Sequence, residues 1–293
     1  MRLAMRSLAA AALAAACAAP RAAPPTQAPA PATPTPAPAA PIVARGPTAP
    51  GGVLYGPSAL RYVMHQRLHV EQDYGMGMQV QDLGYRIFVT ATITGPTDSL
   101  GYPATLTADS IVLDSASVLP PPLSVDGARG LAYRGHLTAQ GEFKNAVPSD
   151  PVQARLTGQI LGGFRNFYLR LPHGGIAAGA NWIDTVATTD TAGAVAVVTR
   201  GAIDAHAAAA PRGPVPSLEL HFTASLALSG GGEANGQRFT IEGQSTVSGT
   251  TYVALDGRYL GGETADSTDL AFIFPMSRLP GRRVVRATVQ VLP

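Results

Sequence analysis

The chain is predicted to be all-β, built from antiparallel sheets with little helix, and three observations predict it. Several segments alternate apolar and polar residues with a period of two, the signature of strands with one wet face. Clusters of Gly, Asn and Asp separate those segments. Charged residues make up only 14% of the 293 residues, against a usual quarter, and Thr, Ser, Gln and Gly supply the missing polarity, as exposed strand faces tolerate well.

The first segment is of another kind. Arg2 and Arg6 precede a short apolar stretch from Leu8 to Ala16, which is too short to span a bilayer. That order reads as a secretory signal peptide over 1–17, not a membrane anchor. Cys17 is the only cysteine, so no intramolecular disulfide can form. The run Leu13-Ala14-Ala15-Ala16-Cys17 resembles a bacterial lipobox. In that family the cysteine is diacylated and becomes the new N-terminus. Here the leucine stands four residues before the cysteine, where the family places it three before. Ordinary cleavage at an Ala-x-Ala site is the alternative. If Cys17 is lipidated, each buried CH₂ contributes about 0.8 kcal/mol to anchoring, and more than one chain is attached.

Residues 18–52 carry eleven of the 26 prolines among Ala and Thr. Such a segment buries too little apolar surface to offset its ordering entropy and reads as a disordered tether. At about 3.1 Å per residue in polyproline II it would reach roughly 90–100 Å.

From residue 53 to the end the pattern is β. Ser58–Leu68 alternates through Tyr62, Met64, Leu68 and Val70, although Leu60, Val63, Met64 and Leu68 also fit a helical face with Ser58 as N-cap; strand is the reading adopted. Leu83, Tyr85, Ile87, Val89, Ala91 and Ile93 alternate with Arg86, Thr90, Thr92 and Thr94. Leu131, Tyr133 and Leu137 alternate with Arg134, His136 and Thr138. Leu218, Leu220, Phe222, Ala224, Leu226 and Leu228 oppose Glu219, His221, Thr223 and Ser225. Gly230-Gly231-Gly232 with Asn235-Gly236 reads as a hairpin loop leading into Arg238–Gln244. Asp256-Gly257 is a strong hairpin signal between Thr250–Leu255 and Arg258–Leu260. Val285, Ala287, Val289 and Val291 close the series. About 240 residues after the tether are ample for a core held by burial alone.

The layout divides into two similar halves, 53–172 and 173–293, each with long alternating strands, a Gly-rich loop and shorter strands. The second half opens on Gly179-Ala180-Asn181-Trp182-Ile183-Asp184-Thr185. This Gly-x-x-Trp-x-Asp-Thr segment and the layout resemble a group of uncharacterised bacterial exported β proteins whose architecture looks like paired half-barrels, in the manner of lipoprotein-carrier proteins. The resemblance implies two half-barrel-like halves and no activity.

The candidates for chemistry are few. His65 and His69 stand four apart with Glu71 nearby, a metal spacing on a helix; on a strand they lie about 13 Å apart at ~3.3 Å per residue, too far to share an ion. His136, His173, His206 and His221 are isolated. Gly243-Gln244-Ser245-Thr246-Val247 lacks the final glycine of a nucleophile elbow, and no Gly-rich loop ends in Gly-Lys-Ser/Thr. Asp109/Asp114 and Glu263/Asp266/Asp269 are expected in or beside turns. Trp182, the only tryptophan, is expected as a packing anchor between the halves, with ligand stacking the alternative. Phe164, Phe167, Tyr168 and Leu169 form an aromatic knot expected in the core. A net charge of +2, with Lys144 the only lysine, gives no basic stripe for nucleic acid.

These observations lead to an expectation of an exported cell-envelope protein, membrane-anchored through Cys17 and facing the periplasm or cell surface. Its role is expected to be non-enzymatic binding of an apolar ligand or lipid on a concave β face, with no cofactor, no metal and no catalytic residue. The alternatives are a packed structural or protein-interaction module and a hydrolase whose residues assemble in space.

Overall fold

The computed structural model describes residues 51–73, 75, 77–117, 125–157, 167–192, 195–234 and 236–293. The expectations for the signal peptide, Cys17, the tether and Phe164 lie outside the described residues.

Eleven strands form one antiparallel sheet. They are β1 (Ser58–Asp73), β2 (Met78–Ile93), β3 (Tyr102–Leu113), β4 (Ala132–Leu137), β5 (Phe143–Pro148), β6 (Asn181–Ala192), β7 (Val195–Ala209), β8 (Ser217–Ala234), β9 (Gln237–Ala254), β10 (Tyr259–Phe274) and β11 (Ser277–Leu292). The described helix is limited to a 3₁₀ turn at Asp126–Ala128 and a single short helix, α1 (Pro151–Leu156), whose N-cap Asp150 accepts from the amides of Val152 and Gln153. The spatial order is β5-β4-β3-β2-β1-β11-β10-β9-β8-β7-β6. Where the layout predicted two half-barrel-like halves, there is therefore one continuous sheet. The first and last strands pair along its middle, from Arg61↔Leu292 to Gln72↔Gly281, and the predicted boundary falls in the connector between β5 and β6, the two open edges.

Alternation decides which face each strand buries. In β1, Tyr62, Met64 and Val70 are buried while Arg61 and Arg67 are exposed, so the strand reading of this segment holds over the helical one. The register carries the same face across the sheet: Met64 stands beside Ile87 on one side and Val289 on the other. Core residues of β2 and β3, among them Ile87, Val89, Ala91, Leu106 and Ala108, are at most 1% exposed. The connector lays Phe167, Tyr168, Leu171 and Ile176 onto the same cluster. Phe167 meets Tyr62 and Tyr259 edge-on, with ring centroids 5.2 Å apart in both pairs. The described part of the aromatic knot is thus core, and such pairs add to what area burial alone contributes.

Two turns differ in outcome. Asp256-Gly257 is the hairpin turn between β9 and β10, with Gly257 at φ 87, a conformation that favours glycine. Gly230, Gly231 and Gly232 are not loop but strand, paired with Ile241, Thr240 and Phe239. At Gly230 a side chain would run into the carbonyl of Ala196 on β7. Gly230 and Gly231 let the backbones of β7 and β9 approach closely, and β8 extends to Ala234.

Candidate functional site: an apolar cleft at the mouth of the first strand

The chain enters the sheet through Gly52–Pro57, which is anchored on three sides by backbone. Val53 exchanges amide–carbonyl bonds with Ile176 (2.6 and 2.9 Å), the Tyr55 amide donates to Ala139 (2.9 Å), and the Gly56 amide donates to Gly257 (3.3 Å). Pairing this segment with three distant loops leaves a cleft of about 660 Å³ between them. Its walls include Val53, Leu54, Tyr102, Ile176, Leu218 and Leu255. Pro211 and Pro216 close one side, on a loop whose ends are tied by Ser217 Oγ donating to Ala210 (2.7 Å) and accepting from the Arg212 amide (3.1 Å).

Beneath it, the lining residue Tyr55 joins the aromatic core cluster. Tyr55 is 1% exposed, donates its hydroxyl to the Leu169 carbonyl (3.1 Å), and meets Tyr168 edge-on at 5.2 Å. Burial pushes the phenols of Tyr55, Tyr62 and Tyr168 well above their ordinary value and that of Tyr259 up to about 12, so all four stay neutral at physiological pH. Near the rim, Asp256 is held by Arg258, with Nε donating to Oδ2 at 2.8 Å. The cleft thus has largely apolar walls over the buried Tyr55 ring, with the Asp256–Arg258 ion pair near its rim.

A second hollow, of about 650 Å³, lies over β7 to β11 and is bordered by Asp204, His206, His221, Thr250, Glu263 and Arg286. These side chains alternate with the core-facing ones and are polar. His206 and His221 stand opposite each other on adjacent strands. Each has its own partner: His206 Nδ1 bonds to Asn181 Oδ1 (2.9 Å), while His221 bonds to Thr250 Oγ1 (3.1 Å) and Glu219 (3.3 Å).

The remaining sequence candidates are dispersed. His65 pairs with Asp114 at 3.2 Å, whereas His69 bonds to Asp82 (2.7 Å) and Glu71 (3.2 Å), so the two histidines serve separate contacts. Among the described residues, no group of three or more His, Cys, Asp or Glu is placed to hold a metal ion. His136 lies 3.4 Å from Asp98, and His173 is exposed in the connector. Glu263, Asp266 and Asp269 were expected beside turns; all three lie inside β10. Asp266 tolerates this place because Ser245 Oγ (2.6 Å), Thr268 Oγ1 (2.9 Å) and an Arg283 guanidinium nitrogen (2.8 Å) all donate to it. Asp109 likewise lies in β3 and accepts from Thr90 (2.7 Å). Trp182 is half-buried on β6 against the main core cluster, and its Nε1 has no hydrogen-bond partner among the described residues.

Sequence reasoning missed the cleft. One signal was available: Leu255, beside the Asp256-Gly257 turn, is half exposed at 50%, a large apolar side chain where a turn favours polar ones. Among the described residues no helix is long and apolar enough to cross a membrane. No protein-family model matches the chain, and a search of curated proteins finds no match.

Proposed function

We propose that the protein is an exported cell-envelope binding module, tethered to a membrane through lipidated Cys17, which holds an acyl chain or a similar apolar ligand in the cleft at the mouth of β1. The observation that carries this reading is the cleft itself. Its volume of about 660 Å³ lies within the ~300–1,000 Å³ usual for small-ligand sites, and its lining is largely apolar, with the buried Tyr55 part of it. The position of the tether agrees with the reading: Gly51 and Gly52 border the cleft, so whatever Cys17 anchors is connected directly to its mouth. The role is non-enzymatic, with binding by exclusion of water from apolar surface at about 25 cal/mol per Å² buried.

Titration with a fluorescent long-chain fatty acid tests it. The wild-type chain should bind saturably. Ala209→Trp, an exposed position on the cleft wall, should fill the space and weaken binding at least about tenfold with the melting temperature unchanged. Absence of saturable binding, or equal binding by Ala209→Trp, rejects the reading.

A further inference from the structure

The two open edges of the sheet are not alike. β5 is six residues long, loses register between Arg134 and His136, carries Asn145 at φ 53 and Lys144, and ends on Pro148. A short length, a bulge, a lysine and a proline are each devices that keep a sheet edge from recruiting another strand. β6 has none of them. Its twelve residues pair with β7 in unbroken register from Asn181↔His206 to Ala192↔Val195. It contains no proline, lysine or glycine, and among the described residues its other side carries no strand. The outward row Asn181, Ile183, Thr185, Ala187 and Thr189 is exposed throughout, with Ile183 at 75%. An edge left bare in this way presents a row of backbone donors and acceptors ready for strand addition.

We propose that β6 is an interaction surface for a second copy of this chain, pairing with β6 of its partner antiparallel across a twofold axis. Self-pairing centred on Thr185 sets Ile183 opposite Ala187, Trp182 opposite Thr188 and Asp184 opposite Val186. No carboxylate faces a carboxylate, the outward row is uncharged, and Asp184 already has Arg170 3.6 Å away. The head-to-tail alternative would add β6 to β5 of the next copy, and the features of β5 oppose it. A twofold arrangement buries both bare edges and stops there, giving a closed dimer and not a growing ribbon. The joined sheets share their faces.

Sedimentation velocity of the full chain carrying Cys17→Ser decides the matter. Wild-type β6 should give a species of twice the 30.1 kDa chain mass at concentrations up to roughly 100 μM. Thr185→Lys sets like charges opposite each other at the axis and should weaken the dimer about tenfold, and Thr185→Glu should do the same. An equal mixture of the two variants should recover the dimer, a result that misfolding cannot produce. A wild-type chain that stays monomeric over that range overturns the proposal, even if the edge captures some other protein. So does a dimer indifferent to both substitutions.

Discussion

The β1–β5 side of the sheet and the β6–β11 side are built from the same alternating pattern, yet they are stabilised differently. Of the largest fully buried side chains, Tyr55, Tyr62, Tyr85, Ile87, Val89, Leu106, Leu137 and Ile176 all precede β6, and only Leu220 belongs to the later strands. On the first side the segments around Leu131, Leu137 and Phe167–Ile176 cover the core face. On the second side, apolar residues gather at the two ends of the strands: Ala207, Leu218, Leu220 and Val253 join the main cluster at one end, and Val195, Phe239 and Ile241 form a small separate cluster at the other. Between them runs a polar band of Ser245, Asp266, Thr268 and Arg283. One side is a covered core, and the other is a long sheet in which side-chain hydrogen bonds and backbone pairing replace part of the burial.

The sharpest way to break this comparison is to cut equivalent leucines. Leu106→Ala removes a side chain that is 1% exposed and should cost about 2–5 kcal/mol. Leu226→Ala, at a half-buried position of β8, should cost about 1 kcal/mol, in proportion to the smaller area it covers. Urea midpoints measure both, and equal losses would mean that the later strands are as tightly packed as the earlier ones.

The polar band gives the next largest effect. Asp266→Ala strands the hydroxyls of Ser245 and Thr268 and the Arg283 guanidinium, so a loss of about 1–3 kcal/mol is expected. Asp266→Asn keeps an acceptor and should lose less. If Asp266→Ala unfolds at the wild-type urea concentration, the band does not substitute for burial.

The smallest effect is electrostatic. On β1, hydrogen bonds to Asp82 and then to Glu71 raise the His69 pKa above its ordinary value. A raised folded-state pKa means that stability is fully present below the unfolded value of ~6.5 and is lost as pH rises through the folded one. The melting temperature of wild type relative to His69→Gln should therefore be higher near pH 6 and converge by about pH 8.5. A gap that widens with pH would contradict the assigned contacts. The side chain is 37% exposed and solvent screens its contacts, so the effect should be slight.

Most of the strand content was legible residue by residue. The alternation of Leu83–Ile93 and of Leu218–Leu228 depends only on the two-residue period of a strand, and it correctly named the buried face of β2 and β8. The candidate site was not legible. Val53, Ile176, Leu218 and Leu255 are scattered over some 200 positions, and apart from Leu255 beside its turn none stands in a pattern that separates it from ordinary core.

The amino-acid order by itself determined the all-β character, the Asp256-Gly257 hairpin and the burial of Phe167 and Tyr168, because periodicity, turn chemistry and aromatic clustering act over a few residues. Only the tertiary structure decided that β1 pairs with β11 to merge the two halves into one sheet. It also decided that Gly230–Gly232 continue a strand, since the close neighbours that favour glycine at Gly230 and Gly231 come from β7 and β9. The polar placement of Asp266 and the cleft at the mouth of β1 were settled in the same way. Each depends on groups brought together from distant parts of the chain, and a backbone amide or a carboxylate carries no local mark of the partner it will meet.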